Sequence, residues 1–160
     1  MKTVIVGMAD GKVSNERDSL LITYALGSCV AVALHDPLAS IAGMIHYMLP
    51  DSTLDKAKAA ERPWMFADTG IPMLLNQLKT AGAVPRRMKV YLAGGAQVLD
   101  AGGFFEIGKR NYLAARKLLW KAGVLVQAED VGGSNSRTVS LQLETGRFVI
   151  RSGAQKEIVL

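Results

Sequence analysis

The chain has 160 residues, a formal charge of +5 and 49% hydrophobic residues, with a mean hydropathy of +0.19. That balance excludes a disordered chain, and no apolar run reaches the ~18 residues of a membrane-spanning helix. The length indicates a single domain over residues 1–160 with a substantial core.

Predicted elements begin with a strand at residues 3–8, ended by a turn signal at Asp10-Gly11. This N-terminal run is too short for a signal peptide before Asp10 interrupts it. Further strands are predicted at 20–25, 30–35 and 41–48, the last two joined as a hairpin through His35-Asp36-Pro37. Residues 51–62 are polar, lack an apolar face and read as a mobile loop placed like a lid.

Two helices follow. The first starts at Asp68-Thr69, where either residue caps it and Pro72 falls in the first turn. Ile71, Leu74, Leu75 and Leu78 then share one face, and Gly82 ends the helix. The second starts near Asn111, gathers Tyr112, Ala115, Leu118, Leu119 and Ala122 on a face, and ends at Gly123. Strands at 88–92 and 124–128 each follow a helix, and a hairpin at 138–143 and 148–151 closes the chain. The first four strands are too closely spaced for crossover helices. The fold class is therefore α+β, a mixed sheet with packed helices.

The chemistry-bearing residues lie in the first hairpin. Cys29 is the sole cysteine, so an internal disulfide is excluded and a reducing cytoplasm is the expected compartment. It follows the small pair Gly27-Ser28 and opens an apolar strand; His46 sits in the partner strand. Pairing these strands brings thiol and imidazole together, the minimum for a thiol nucleophile with its base. Thr23, in the preceding strand, is placed to hold one ring nitrogen of His46 through its hydroxyl or its carbonyl. Backbone amides of Gly27-Ser28-Cys29 are candidates for binding a substrate oxyanion. If Cys29 and His46 form an ion pair, the thiol pKa falls below the ~8.5 of a free cysteine. The plainer readings are a buried core cysteine, a core histidine and an ordinary strand threonine.

Other motifs carry less. Gly94-Gly95-Ala96 and Gly102-Gly103 lack both the Gly-Lys-Ser/Thr ending of a P-loop and the Gly-x-Gly-x-x-Gly spacing of a dinucleotide loop, and read as close backbone approaches or tight turns. Glu129-Asp130 reads as a strand terminus. Lys109-Arg110, ahead of the second helix, reads as solvated or as a contact for an acidic partner. Basic residues are scattered without interleaved aromatics, so no nucleic-acid surface is indicated. Two histidines and one cysteine are too few for a structural zinc site.

Taken together, Leu26-Gly27-Ser28-Cys29-Val30, Asp36-Pro37, His46-Tyr47-Met48-Leu49-Pro50, Ala67-Asp68, Ala93-Gly94-Gly95-Ala96, Ile107-Gly108-Lys109-Arg110-Asn111 and Ala128-Glu129-Asp130-Val131-Gly132-Gly133 resemble the CheD family of bacterial chemoreceptor glutamine deamidases. The resemblance implies a cysteine hydrolase with a Cys-His-Thr triad falling on Cys29, His46 and Thr23; Gly27 and Ser28, from their turn, remain the substrate-binding candidates. It implies a layered sandwich like that of bacterial toxin deamidases, and no cofactor. The implied substrates are glutamines on cytoplasmic helices of methyl-accepting chemoreceptors, with a related esterase activity on receptor glutamyl methyl esters. It also implies a partner, a CheC-type chemotaxis phosphatase, and hence an alternative role as an adaptor. Gln97-Val98-Leu99, where a Met-Phe pair is common, and Phe66 in place of Tyr depart from the family pattern.

Overall fold

The computed structural model describes residues 1–97, 106–153 and 157–160. In chain order they form β1 (Lys2–Ile5), β2 (Asp10–Ser14), β3 (Ser19–Leu26), β4 (Val30–Asp36), β5 (Ile41–Tyr47), α1 (Lys56–Glu61), α2 (Ala67–Ala81), β6 (Lys89–Gly94), α3 (Ile107–Lys121), β7 (Val126–Val131), β8 (Arg137–Gln142), β9 (Phe148–Arg151) and β10 (Ile158–Val159). The strands make two five-stranded sheets, ordered β1-β3-β8-β9-β10 and β2-β5-β4-β6-β7. Both are mixed: β1 runs parallel to β3 and β6 parallel to β7, while the other pairs are antiparallel.

β4 and β5 are buried at every position. A strand covered on both faces needs mostly apolar residues, which is why residues 30–34 and 41–45 read as unbroken apolar runs. Val32, Leu34 and Ile45 face the helices and pack with Ile71, Leu74 and Leu119. The alternating residues Ala31, Ala33 and Met44 face the other sheet and pack with Leu21, Leu141 and Phe148. Each large aliphatic side chain buried this way contributes about 1.5–3 kcal/mol. Tyr91 stacks on Phe148 across the sheets, with ring centroids 5.0 Å apart. The result is the expected α+β layered sandwich: sheet, sheet, helices.

The β4–β5 hairpin turns where Asp36-Pro37 predicts. Asp36 accepts hydrogen bonds from the amides of Leu38, Ala39 and Val84 and pairs with Arg87 at 2.9 Å. Burial pushes its carboxyl up, but Arg87 and these amides outweigh it, so the pKa lies below the usual value. α2 ends at Gly82 in the left-handed conformation, as predicted.

Several elements differ from the sequence reading. Asp10-Gly11 opens a strand, β2, which pairs with β5. Gly11 is there because the Trp64 ring lies against it: an added Cβ would sit 2.3 Å from Cζ3. The turn falls earlier, at Ala9 with φ 55°. Residues 51–62 are not a loop. Ser52–Leu54 forms a 3-10 turn capped by Asp51, and α1 is capped by Asp55. Asp68 does not cap α2; it accepts hydrogen bonds from the amide and hydroxyl of Ser52 at 2.9 and 2.8 Å. α2 starts at Ala67, which places Pro72 beyond the first turn. α3 starts at Ile107, leaving Asn111 inside the helix. Glu129-Asp130 lies within β7, and β10 was not anticipated. Val98, Leu99 and Gly102-Gly103 lie outside the described residues.

Candidate active site

Of the three residues nominated from sequence, Thr23 and His46 meet in a hydrogen bond between the two sheets, while Cys29 makes no hydrogen bond to the imidazole. In the β4–β5 register Val30 faces Tyr47 and Ala31 faces His46. Cys29, two residues before Ala31, therefore shares a sheet face with His46 and is its diagonal neighbour. That face looks toward β3, where Ser19, Leu21 and Thr23 alternate inward and are buried. β3 is irregular beyond Thr23. Tyr24 and Ala25 both point outward, with Ala25 at φ 58°, and Leu26 returns to the core. The chain then enters the Gly27-Ser28-Cys29 turn.

Thr23 Oγ1 donates to the Val6 carbonyl at 2.6 Å and lies 2.8 Å from His46 Nδ1. Its one proton is committed to Val6, so the hydroxyl accepts from Nδ1–H. The proton on Nδ1 leaves Nε2 as the basic nitrogen. Nε2 is buried and has no hydrogen-bond partner among the described residues.

Both groups of the proposed pair are neutral at rest. Burial raises the Cys29 pKa to about 11, with its own backbone N–H acting the other way. Burial lowers the His46 pKa to about 4. No thiolate–imidazolium pair is present, so the condition under which the sequence reading lowers the thiol pKa is not met, and burial instead raises it. The physical reason is that neither charge finds a partner strong enough to offset desolvation.

Backbone contacts fix the turn. Gly95 N–H donates to the Cys29 carbonyl at 2.8 Å and Ala96 N–H to the Gly27 carbonyl at 2.9 Å. Gly94, at φ 110°, permits this approach; a Cβ there would lie 2.3 Å from the Cys29 oxygen. This is the close backbone approach that Gly94-Gly95 suggests. The Ser28 amide has no acceptor among the described residues, and the Cys29 amide is turned toward its own sulfur.

The sequence reading missed Asn111. It is fully buried, and its Nδ2 donates to the Ser28 and Met48 carbonyls, both at 2.9 Å. Its backbone carbonyl accepts from the Tyr47 hydroxyl at 2.6 Å. The available signal was an Asn on the apolar face of a helix, beside Ala115 and Leu119. Lys109 lines a 250 Å³ depression with Gly95, Gln97 and Tyr112. Among the described residues no three His, Cys, Asp or Glu side chains cluster for a metal.

Fold and site together define an α+β layered sandwich in which a hydroxyl holds a buried imidazole and the sole thiol lies on the same sheet face. The chain belongs to the CheD family: residues 48–152 match the family model described as CheD chemotactic sensory transduction. It is similar to the probable chemoreceptor glutamine deamidase CheD of Solibacter usitatus, 54% identical over 99% of this chain and 95% of that protein. It is 49% identical to the probable chemoreceptor glutamine deamidase CheD 1 of Syntrophus aciditrophicus over 95% of each. The chemoreceptor glutamine deamidase CheD of Halalkalibacterium halodurans is 42% identical over 96% of each.

Proposed function

We infer that the protein hydrolyses glutamine side-chain amides of chemoreceptors to glutamate, with Cys29 as nucleophile, His46 as general base and Thr23 orienting the imidazole. The relatives' names supply the substrate class. The observation that carries the mechanism is the Thr23–His46 hydrogen bond, which reserves the basic Nε2 for the face that Cys29 shares. Because thiol and imidazole are both neutral, proton transfer accompanies attack.

The Cys29 sulfur bonds to the amide carbon as its proton passes to Nε2, and the carbonyl π pair moves onto oxygen. The Ser28 and Cys29 amides are the candidate donors to that oxyanion. The C–N bond then breaks, the nitrogen takes the proton from the imidazolium, and ammonia leaves a thioester. Water attacks the thioester carbon and gives a proton to Nε2. The C–S bond breaks, the sulfur recovers the proton, and the glutamate product departs.

The working place is the cytoplasm, where receptor signalling helices lie and a lone thiol stays reduced. No described helix is long and apolar enough to cross a membrane. A second reading, docking to a CheC-type phosphatase, is favoured by one surface. Trp120 and Leu125 are 79% and 80% exposed, next to Arg116 and Lys117.

The deciding experiment incubates the protein with a receptor cytoplasmic fragment and follows intact mass, since each deamidation replaces NH2 by OH. Mass gain that disappears with Cys29→Ala supports the reading; mass gain retained by Cys29→Ala overturns it. Unchanged mass together with tight binding to a CheC-type protein moves the assignment to the adaptor.

A further inference from the structure

We propose that Asn111 is a positioning residue for the deamidation site, clamping the nucleophile turn and the end of the base strand at a fixed separation. The inference rests on the reading of Cys29 as nucleophile and His46 as base. Ser28 is the residue before Cys29, and Met48 lies two residues after His46. The two carbonyls belong to neighbouring strand ends, just where the β4–β5 ladder stops at Val30 and Tyr47. Beyond that point the ladder no longer sets the spacing. The carboxamide of Asn111 takes over, spending both Nδ2 protons on the two carbonyls at 2.9 Å each.

Asn111 is itself held. Its carbonyl accepts from Tyr47 Oη at 2.6 Å, and Tyr47 belongs to β5 beside His46. One turn earlier on α3, Gly108 approaches so closely that a Cβ would lie 2.4 Å from the Gly95 oxygen. Gly95 in turn donates to the Cys29 carbonyl. α3 therefore grips the nucleophile turn from the helix side of the sheet, while thiol and imidazole face the other sheet.

The remaining atom is informative. Asn111 Oδ1 is buried and has no partner among the described residues. A buried unpaired carbonyl is unfavourable, so packing alone gives no reason for an asparagine at this position. The two donated bonds give the reason. An aspartate would set carboxylate oxygens against two carbonyl oxygens, and an aliphatic residue would leave both carbonyls unpaired.

The test measures steady-state deamidation of a receptor fragment, Cys29 alkylation by iodoacetamide, and Tm for Asn111→Ala and Asn111→Asp. A core variant remote from the site, Ile71→Val, serves as the stability control. The expected result is a kcat loss of about tenfold or more with KM within about twofold, because misplacement of reacting groups acts on the chemical step. The pH profile of Cys29 alkylation should move in both Asn111 variants and stay fixed in Ile71→Val. Asn111→Asp should regain part of its activity as pH falls, since the protonated acid offers one O–H donor. Wild-type kcat in either folded Asn111 variant overturns the proposal, as does an equal kcat loss in Ile71→Val. If neither variant folds, the Asn111 side-chain amide resonances of the wild-type protein decide. They must be protected from exchange and must shift when Cys29 is alkylated; unprotected or unmoved resonances overturn the clamp. Activity surviving in Cys29→Ala would instead mean that the underlying catalytic reading has failed.

Discussion

Thr23 and His46 lie in different sheets, yet Thr23 Oγ1 and His46 Nδ1 are 2.8 Å apart. The hydroxyl is already committed as a donor to the Val6 carbonyl. It therefore selects the imidazole tautomer that leaves Nε2 unprotonated. Thr23→Val keeps the shape but leaves Nδ1–H without an acceptor, and frees the ring to change tautomer. The expected outcome is a kcat loss of about tenfold or more and a stability loss of about 1–3 kcal/mol. Thr23→Ser retains the oxygen and should keep most activity. Equal kcat in wild type and Thr23→Val would remove the side chain from the mechanism.

The neutral pair sets the pH dependence of reactivity. Alkylation of Cys29 by iodoacetamide should rise with an inflection near pH 11 and be slow at neutral pH. The base stays unprotonated above about pH 4, so kcat/KM should be level across the neutral range and fall on the acid side near pH 4. Rapid alkylation at pH 7 that slows in His46→Ala would show a thiolate–imidazolium pair instead.

The buried imidazole also makes stability depend on acid. Its folded pKa of about 4 lies below the 6.5 of an unfolded histidine. As pH falls through this window the unfolded chain binds the proton first, so stability is intact above 6.5 and lost toward 4. The loss attributable to His46 is at most roughly 3 kcal/mol. Urea midpoints taken from pH 7 to pH 4 should fall less steeply in His46→Gln. Identical slopes would assign the effect to other groups.

Gly94 is required by its contact with the nucleophile turn. Gly94→Ala combines a strained φ of 110° with a Cβ 2.3 Å from the Cys29 oxygen, so it should inactivate the enzyme and lower Tm. Gly132→Ala has a comparable φ of 83° but nothing within 4 Å. It should cost only about 1–3 kcal/mol of backbone strain and leave catalysis intact. Similar activity in the two variants would refute the contact.

Charge steering supplies a test of recognition. α3 carries Lys109, Arg110, Arg116, Lys117 and Lys121 with no acidic residue in its 15 positions. Added salt should lower kcat/KM for an acidic receptor fragment, and Lys109→Glu or Arg110→Glu should mimic it, while alkylation of Cys29 by a small reagent hardly changes. Salt-independent turnover would exclude these cations from substrate capture.

The sequence by itself determined much of this protein. Unbroken apolar runs at β4 and β5 required a doubly covered hairpin, and the leucine spacing of α2 required a helix on one of its faces. Pairing of these strands nominated Cys29 and His46 together, and a threonine in the preceding strand was near enough to join them, but the register that sets their common face came from the structure. Local pattern misled where a residue served a distant neighbour: Gly11 makes room for Trp64, and Asp68 holds Ser52 rather than capping its own helix. Tertiary structure alone decided that Thr23 meets His46 through its hydroxyl, because that depends on the Val6 carbonyl arriving from beyond the end of β1. It alone decided that thiol and imidazole are neutral, because burial is a property of the closed sandwich and not of any local segment. And it alone brought Asn111 to the Ser28 carbonyl, 83 positions away in the chain, since a hydrogen bond over that separation forms only when α3 docks on the sheet.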